Sequence, residues 1–403
     1  MGPRPSRQHR REPPVNYSPT YGWTEEQLAL KHSAMEFTKR EVTPNIDQWE
    51  KDGEIPREFQ KTLAAAGLLG VGVPEEFGGD GGTLMDICAL QEGFMEAGWS
   101  GGLMASAFTH GIAIPHIIQN GSKELIDTWV RPVLAGDLIG SLGVTEPGTG
   151  SDVAGLTTRA VRDGDEWVIN GSKMFITSSV RGDFVTTACR TSDNGAHGLS
   201  LIVVPKGTPG FTVSRKLDKM GWLASDTGEL TYDNVRVPLT NLVGEENHAF
   251  YYIANNFVTE RIWLALMGYG HALRCLNLAA KYCQDRDTFG KPLVANQVVR
   301  AKLVEMRRQV EIARSYTLEI ARRYDAGETV IAEACMAKQT AVDTSVWVAD
   351  QAVQLHGGMG YMRESEVERH YRDVRLLPIG GGSTEVLTDL AARLLGYAPG
   401  AKK

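Results

Sequence analysis

The sequence predicts an α+β protein built in three zones, and three observations predict it. Apolar residues recur at helical spacing from Thr24 to about Gly136. From about Leu142 to Val243 the period drops to two, with Gly, Asn, Asp and Pro between the runs. From Asn247 onward helical spacing returns over longer stretches. A chain of 403 residues with 42% hydrophobic content has ample material for several cores. The expected division is a disordered extension at 1–20, an N-terminal helical domain at 21–141, a central β domain at 142–244 and a C-terminal four-helix bundle at 245–403.

In the first zone, Thr24 caps a helix opened by Glu25, Glu26 and Leu28, and Ala34, Phe37 and Val42 continue its stripe. Ile55–Pro56 begins another helix, and the turn from Pro74 to Gly79 separates it from a longer one over Leu84 to Gly98. The second zone reads as a small antiparallel sheet with strands at Trp167–Ile169, Asp183–Ala188, Leu199–Val204, Phe211–Ser214 and Leu230–Val237. Asn170–Gly171 is a hairpin turn signal. In the third zone, His248–Gln284, Asn296–Ala326 and Thr329–Leu355 carry the apolar spacing of bundle helices.

Composition narrows the function classes. A net charge of −7 gives no footing for nucleic acid or an anionic membrane. No apolar run approaches the ~20 residues of a membrane span. The Arg- and Pro-rich start has neither the apolar core of a secretory signal nor the pattern of a transit peptide. Cys88, Cys189, Cys275, Cys283 and Cys335 are odd in number and lack metal spacing, so they read as buried thiols of a reducing cytoplasm with no metal site.

Four segments carry chemistry. Residues 142–152, Leu-Gly-Val-Thr-Glu-Pro-Gly-Thr-Gly-Ser-Asp, form a polar, open loop after a short apolar segment. Its glycines admit a large ligand and its hydroxyls offer donors, although composition alone also fits a surface turn. In Asn170–Thr177, Phe175 is placed to shield a flat ring and Thr177 to reach a ring nitrogen; a core aromatic is the plain alternative. Arg286–Gln297 offers a guanidinium fork for a pyrophosphate, or an Arg that merely satisfies helix carbonyls. In Gln354–Tyr361, Gly357 and Gly358 close a helix and leave main chain open to a dinucleotide.

These segments, in this order over Thr24 to Pro399, closely resemble the acyl-CoA dehydrogenase flavoenzymes. The resemblance implies FAD as cofactor. Peptide groups of Leu142, Val144 and Gly150, with Thr145 and Ser151, would line its pyrimidine and pyrophosphate sides, and Ser151 would also meet substrate. Phe175, where relatives usually carry Trp, would lie beside the flavin, and Thr177 would meet its N5 region. Arg286, Thr288, Phe289 and Gln297 would reach the FAD of a neighbouring subunit, implying a homotetramer arranged as a dimer of dimers, and Gln354, Gly357 and Gly358 would add to the cofactor contacts. Ser383 and Glu385 complete the implied cofactor set. Acyl-CoA is the implied substrate and electron-transferring flavoprotein the implied acceptor.

Oxidising a saturated thioester at Cα–Cβ requires a base for the α-proton. Most relatives carry a Glu just before Gly-Thr or Gly-Ser in a C-terminal loop, where this chain has Gly381. A minority, including isovaleryl- and long-chain enzymes, place the Glu before an Arg in the helix after the β domain. Here that site reads Phe257-Val-Thr-Glu-Arg261, which makes Glu260 the expected base, with Phe257 and Arg261 beside the substrate. An isolated helix Glu next to Arg is otherwise a solvated charge. The Gly381 N–H remains as a donor for the thioester carbonyl. Burial is expected to raise the Glu260 pKa. Gly380, where many relatives have Tyr, leaves room for a branched or bulky acyl chain, as in the isovaleryl- and citronellyl-CoA dehydrogenase-like bacterial members that the chain most resembles. Val258 replaces an acidic pantetheine contact, which keeps a carrier-protein thioester as an alternative. Oxygen-using flavin oxidases or monooxygenases of this fold are a second alternative, and a non-catalytic nucleic-acid-binding flavoprotein is a distant third.

Overall fold

The computed structural model describes residues 21–399, so the extension expected at 1–20 lies outside the described residues. The N-terminal helices are α1 (Glu25–Phe37), α2 (Ile46–Asp52), α3 (Glu58–Ala65), α4 (Leu84–Ala97) and α5 (Gly101–Ala107). Shorter ones follow: α6 (His110–Ala113), α7 (Pro115–Asn120), α8 (Lys123–Leu125) and α9 (Arg131–Leu134). Thr24 and Gln27 form a reciprocal capping box at the start of α1, as their spacing predicts. The helix expected from Ile55–Pro56 starts three residues after Ile55, at Glu58.

Eight strands form one sheet among the described residues. They are β1 (Gly140–Gly143), β2 (Arg159–Asp163), β3 (Glu166–Thr177), β4 (Phe184–Arg190), β5 (Leu199–Pro205), β6 (Phe211–Lys216), β7 (Thr227–Pro238) and β8 (Leu242–Val243). The order is β6-β7-β3-β2-β4-β5-β8, with β1 beside β4. Two expectations are corrected. The sheet is not wholly antiparallel, because β1 runs parallel to β4 from Gly140/Phe184 to Gly143/Thr187. Nor is Asn170–Gly171 a turn: both residues lie inside β3, at a register shift against β7. Gly171 has φ +148°, and a Cβ there would sit 2.5 Å from Thr158 Oγ1. Glycine is therefore required by close backbone approach, and the turn signal was a bulge signal. The β2–β3 turn falls instead at Gly164–Asp165, with Gly164 at φ +61°.

The C-terminal zone has three long helices, α10 (Ala249–Asp285), α11 (Gln297–Asp325) and α12 (Ile331–His356), each within about two residues of its expected bounds. The bundle has no fourth long helix among the described residues. Its remaining side is shared by α13 (Glu366–Val374) and α14 (Thr384–Leu394), both packed on α12. Glycine turns at Gly357–Gly358 and Gly380–Gly382 interrupt the chain there, which is why one long helix becomes two short ones. A two-stranded hairpin, β9 (Asp287–Thr288) with β10 (Lys291–Pro292), joins α10 to α11. The helical zones are tied by buried Glu92 on α4, which accepts from Lys31 (2.8 Å), Tyr269 (3.0 Å) and Arg314 Nε (2.8 Å). No described helix is long and apolar enough to cross a membrane.

Candidate active site

The β wall of the site is the loop after β1 set against the end of β3. Met174 N–H donates to the Thr145 carbonyl at 2.8 Å, and buried Lys173 donates to the Val144 carbonyl (3.0 Å) and to Glu146 (2.8 Å). The Glu146 carboxylate also accepts from Thr157 N–H (2.7 Å), Thr157 Oγ1 (2.6 Å) and Thr158 N–H (2.8 Å). Burial pushes that carboxyl up, but Lys173 and the three hydrogen bonds outweigh it and hold the pKa at about 2. The loop between residues 144 and 158 is thus clamped from beneath. Above the clamp, the hydroxyls of Thr145, Ser151 and Thr177 have no protein partner among the described residues, nor do the N–H groups of Val144 and Gly150.

Phe175 lies at a second register shift in β3, at φ +62° and 62% exposed. A bulky residue rarely holds that backbone conformation or leaves so much apolar surface in water. The bulge turns the ring out of the sheet's core, so the core-aromatic alternative does not hold.

The second predicted cluster assembles at the other end of the C-terminal bundle. Tyr282 on α10 stacks on His356 at 4.4 Å between centroids, bringing the Arg286 end of α10 beside the Gly357–Gly358 turn. Arg286 is exposed, and its guanidinium has no protein partner among the described residues, so it is not satisfying helix carbonyls. Phe289 tips the β9–β10 hairpin at φ +50° and is fully exposed. Gln297 and Gln354 are also exposed, and Thr288 is half-buried. Among the described residues no hydrogen bond joins the side chains of this cluster to the β wall. Ser383 caps α14 by accepting from Val386 N–H (3.4 Å), and Glu385 is exposed in the first turn of that helix. Among the described residues no hydrogen bond or ion pair joins either one to the other predicted cofactor residues.

The third group is a corner between α10, α12 and the glycine loop. A Cβ at position 381 would lie 3.3 Å from Glu260 Oε1 and 2.1 Å from Leu264 Cδ1. The Glu260 carboxylate therefore lies directly beside Gly381 of the glycine loop. Gly381 has φ +63°, so both backbone and packing keep a side chain out. Burial raises the Glu260 pKa, as expected, against the attraction of Lys338 and Arg261. Buried Arg261 lies over the Phe257 ring at 5.5 Å, and its Nε has no partner among the described residues. Val258 faces the apolar core, packed with Ile262 and Ala265. Around Gly380 a Cβ would meet nothing nearer than 3.8 Å, so that position is open.

Two lysines were missed by sequence reasoning. Lys173 clamps the loop, and Lys338 on α12 donates to the carbonyls of Gly380 (2.5 Å) and Gly382 (2.7 Å). Lys338 follows Ala334 at helical spacing on a buried face that continues through Ala341 and Val342. A lysine at a core position was the available signal.

These residues fit a flavin dinucleotide: unsatisfied donors above a rigid clamp, an outward aromatic beside them, and glycines at 148 and 358 where a Cβ would meet no protein atom within 4 Å. Fold and site together define a flavin-dependent oxidoreductase. Acyl-CoA dehydrogenase family models match the chain in all three parts, the N-terminal domain at 24–137, the middle domain at 141–235 and the C-terminal domain at 247–396. The chain is 36% identical to the long-chain specific mitochondrial acyl-CoA dehydrogenase of Rattus norvegicus over 368 residues, covering 90% of this chain and 85% of that one. A solved Mycobacterium smegmatis protein assigned to the acyl-CoA dehydrogenases superposes with TM-score 0.92 at 56% identity, covering 93% of this chain and 99% of that one. A glutaryl-CoA dehydrogenase of that organism, solved with FADH2, superposes with TM-score 0.86 at 26% identity, covering 94% and 97%. The chain belongs to the acyl-CoA dehydrogenase family, flavoproteins that use FAD to dehydrogenate acyl-CoA.

Proposed function

We propose that Glu260 is the base in dehydrogenation of a saturated acyl-CoA thioester to the trans-2-enoyl-CoA. The observation that carries this reading is the Glu260 oxygen 3.3 Å from the place of a Cβ at Gly381. The carboxylate takes the α-proton, and the Gly381 N–H stabilises negative charge developing on the thioester oxygen. Bound FAD supplies the acceptor for the hydride that leaves Cβ. Thr145, Ser151, Phe175 and Thr177, with the open N–H groups of the 142–151 loop, orient the flavin. The cluster of Arg286, Thr288, Phe289, Gln297, Gln354, Gly357 and Gly358 serves the FAD of a neighbouring subunit in a homotetramer. The bare Phe289 ring and the unpartnered Arg286 guanidinium among the described residues support that assignment. Arg261 and Phe257 flank the thioester. The open space at Gly380 favours a branched or bulky acyl chain, as in isovaleryl- and citronellyl-CoA dehydrogenase-like members. Electron-transferring flavoprotein is the acceptor of the reduced enzyme in the cytoplasm.

Anaerobic titration of the yellow protein with straight, methyl-branched and terpenoid acyl-CoAs tests this. Flavin bleaching by CoA thioesters, strongest with branched chains, is expected. Bleaching only by carrier-protein thioesters, or rapid peroxide formation in air, would refute it. Preference for straight chains would remove the argument from Gly380 alone.

A further inference from the structure

We propose that Lys338 is a positioning residue for the dehydrogenation: it holds the Gly380–Gly382 main chain by two carbonyls, so that the Gly381 N–H meets the thioester oxygen, and it sets a positive charge against Glu260. The inference rests on Glu260 as the base. A trans peptide puts its C=O and N–H on opposite sides of one plane. With the Gly380 carbonyl drawn to Lys338 Nζ, the Gly381 N–H must point away from the lysine, and no protein acceptor among the described residues meets it there. The Gly382 carbonyl, also on Nζ, fixes the other end of the turn. Three consecutive glycines would otherwise leave this segment the freest in the site.

Lys338 is buried, and its second role follows from what surrounds it. Glu260 and Arg261 face it from α10, Cys335 from its own helix, and only carbonyls from the loop. No hydrogen bond joins it to Glu260 among the described residues, so the carboxylate feels the charge while keeping both oxygens for substrate. Burial pushes the Lys338 ammonium down to about 8, yet it stays largely protonated at neutral pH.

The test compares Lys338→Met and Lys338→Arg with FAD bound. First, 2,4-hexadienoyl-CoA is bound and its absorbance followed, since a hydrogen bond to the thioester oxygen shifts that band to the red without any proton being removed. The shift is expected to shrink in Lys338→Met. Second, the rate of flavin bleaching by octanoyl-CoA is followed against pH. Its rising limb should move up by about one unit in Lys338→Met, because a cation beside Glu260 is gone. Lys338→Arg should restore the limb but not the full dienoyl shift, since a planar fork cannot reproduce a point ammonium between two carbonyls. A purely structural lysine would lower the melting temperature or FAD content and move neither readout. An unmoved limb or an unchanged dienoyl shift in Lys338→Met overturns the proposal. If Lys338→Met does not retain FAD, an unchanged shift in Lys338→Arg overturns it alone. Glu260→Gln separates the two readings: bleaching that survives there removes the base, while the dienoyl shift still judges Lys338.

Discussion

Two buried lysines each face a glutamate in this site, and the two glutamates are pushed in opposite directions. At the β wall, Lys173 bonds Glu146 at 2.8 Å, the carboxylate is fully occupied by further donors, and its pKa falls to about 2. At the corner, Lys338 spends its donors on two carbonyls and meets Glu260 only through space, and burial raises the Glu260 pKa. The first pair is a fixed ionic clamp. The second leaves a carboxylate free to exchange a proton. What distinguishes structure from chemistry here is the number of hydrogen bonds each carboxylate already has, since the residue types are the same.

The largest effect that sharpens this contrast is expected on the clamp. Lys173→Met strands Glu146 among buried groups and should cost about 3–5 kcal/mol of stability, with loss of bound FAD, measured by denaturant melts and flavin absorbance. Retained FAD at unchanged stability would break the comparison. The clamp also has a sign in pH. A carboxyl held below its ordinary value of 4.5 adds stability above that value, and the contribution disappears as pH falls toward about 2.

Glu260 carries the opposite sign and a smaller effect. Its folded pKa is raised, so the folded state holds the proton more tightly, and stability declines as pH rises past 4.5. Glu260→Gln is therefore expected to raise the melting temperature modestly at pH 7 to 8, with the gap closing toward pH 4.5. A lowered melting temperature at pH 8 would mean that the carboxylate is a structural partner like Glu146.

The contrast also explains what was legible from the chain. The β wall lies within two short stretches, 142–151 and 173–177, so a local string of hydroxyls and glycines announces it. The Thr24 cap and the three long helices follow local rules as well. The proposed role of Glu260 could be read only through the gap at Gly381, far away in sequence. Lys338 was hidden because its meaning is tertiary: nothing in the run Ala334-Cys-Met-Ala-Lys338 says that two carbonyls wait opposite. Strand β2 was missed because Arg-Ala-Val-Arg-Asp has one inward apolar position, Ala160, and exposes the rest. Asn170–Gly171 misled for the reverse reason, since a strong local turn signal was overridden by the need to pass Thr158 closely.

The role of Glu260 is tested most directly by α-proton exchange, which isolates the base from the hydride step. A 3-thia-acyl-CoA, whose β position has no hydrogen to give, is incubated with enzyme in deuterated water and its Cα deuterium content measured by mass spectrometry. Wild type and Glu385→Gln should incorporate deuterium at similar rates, and Glu260→Gln should be slower by roughly 10²-fold or more. Exchange in Glu260→Gln at the wild-type rate, or its loss in Glu385→Gln, would contradict the account.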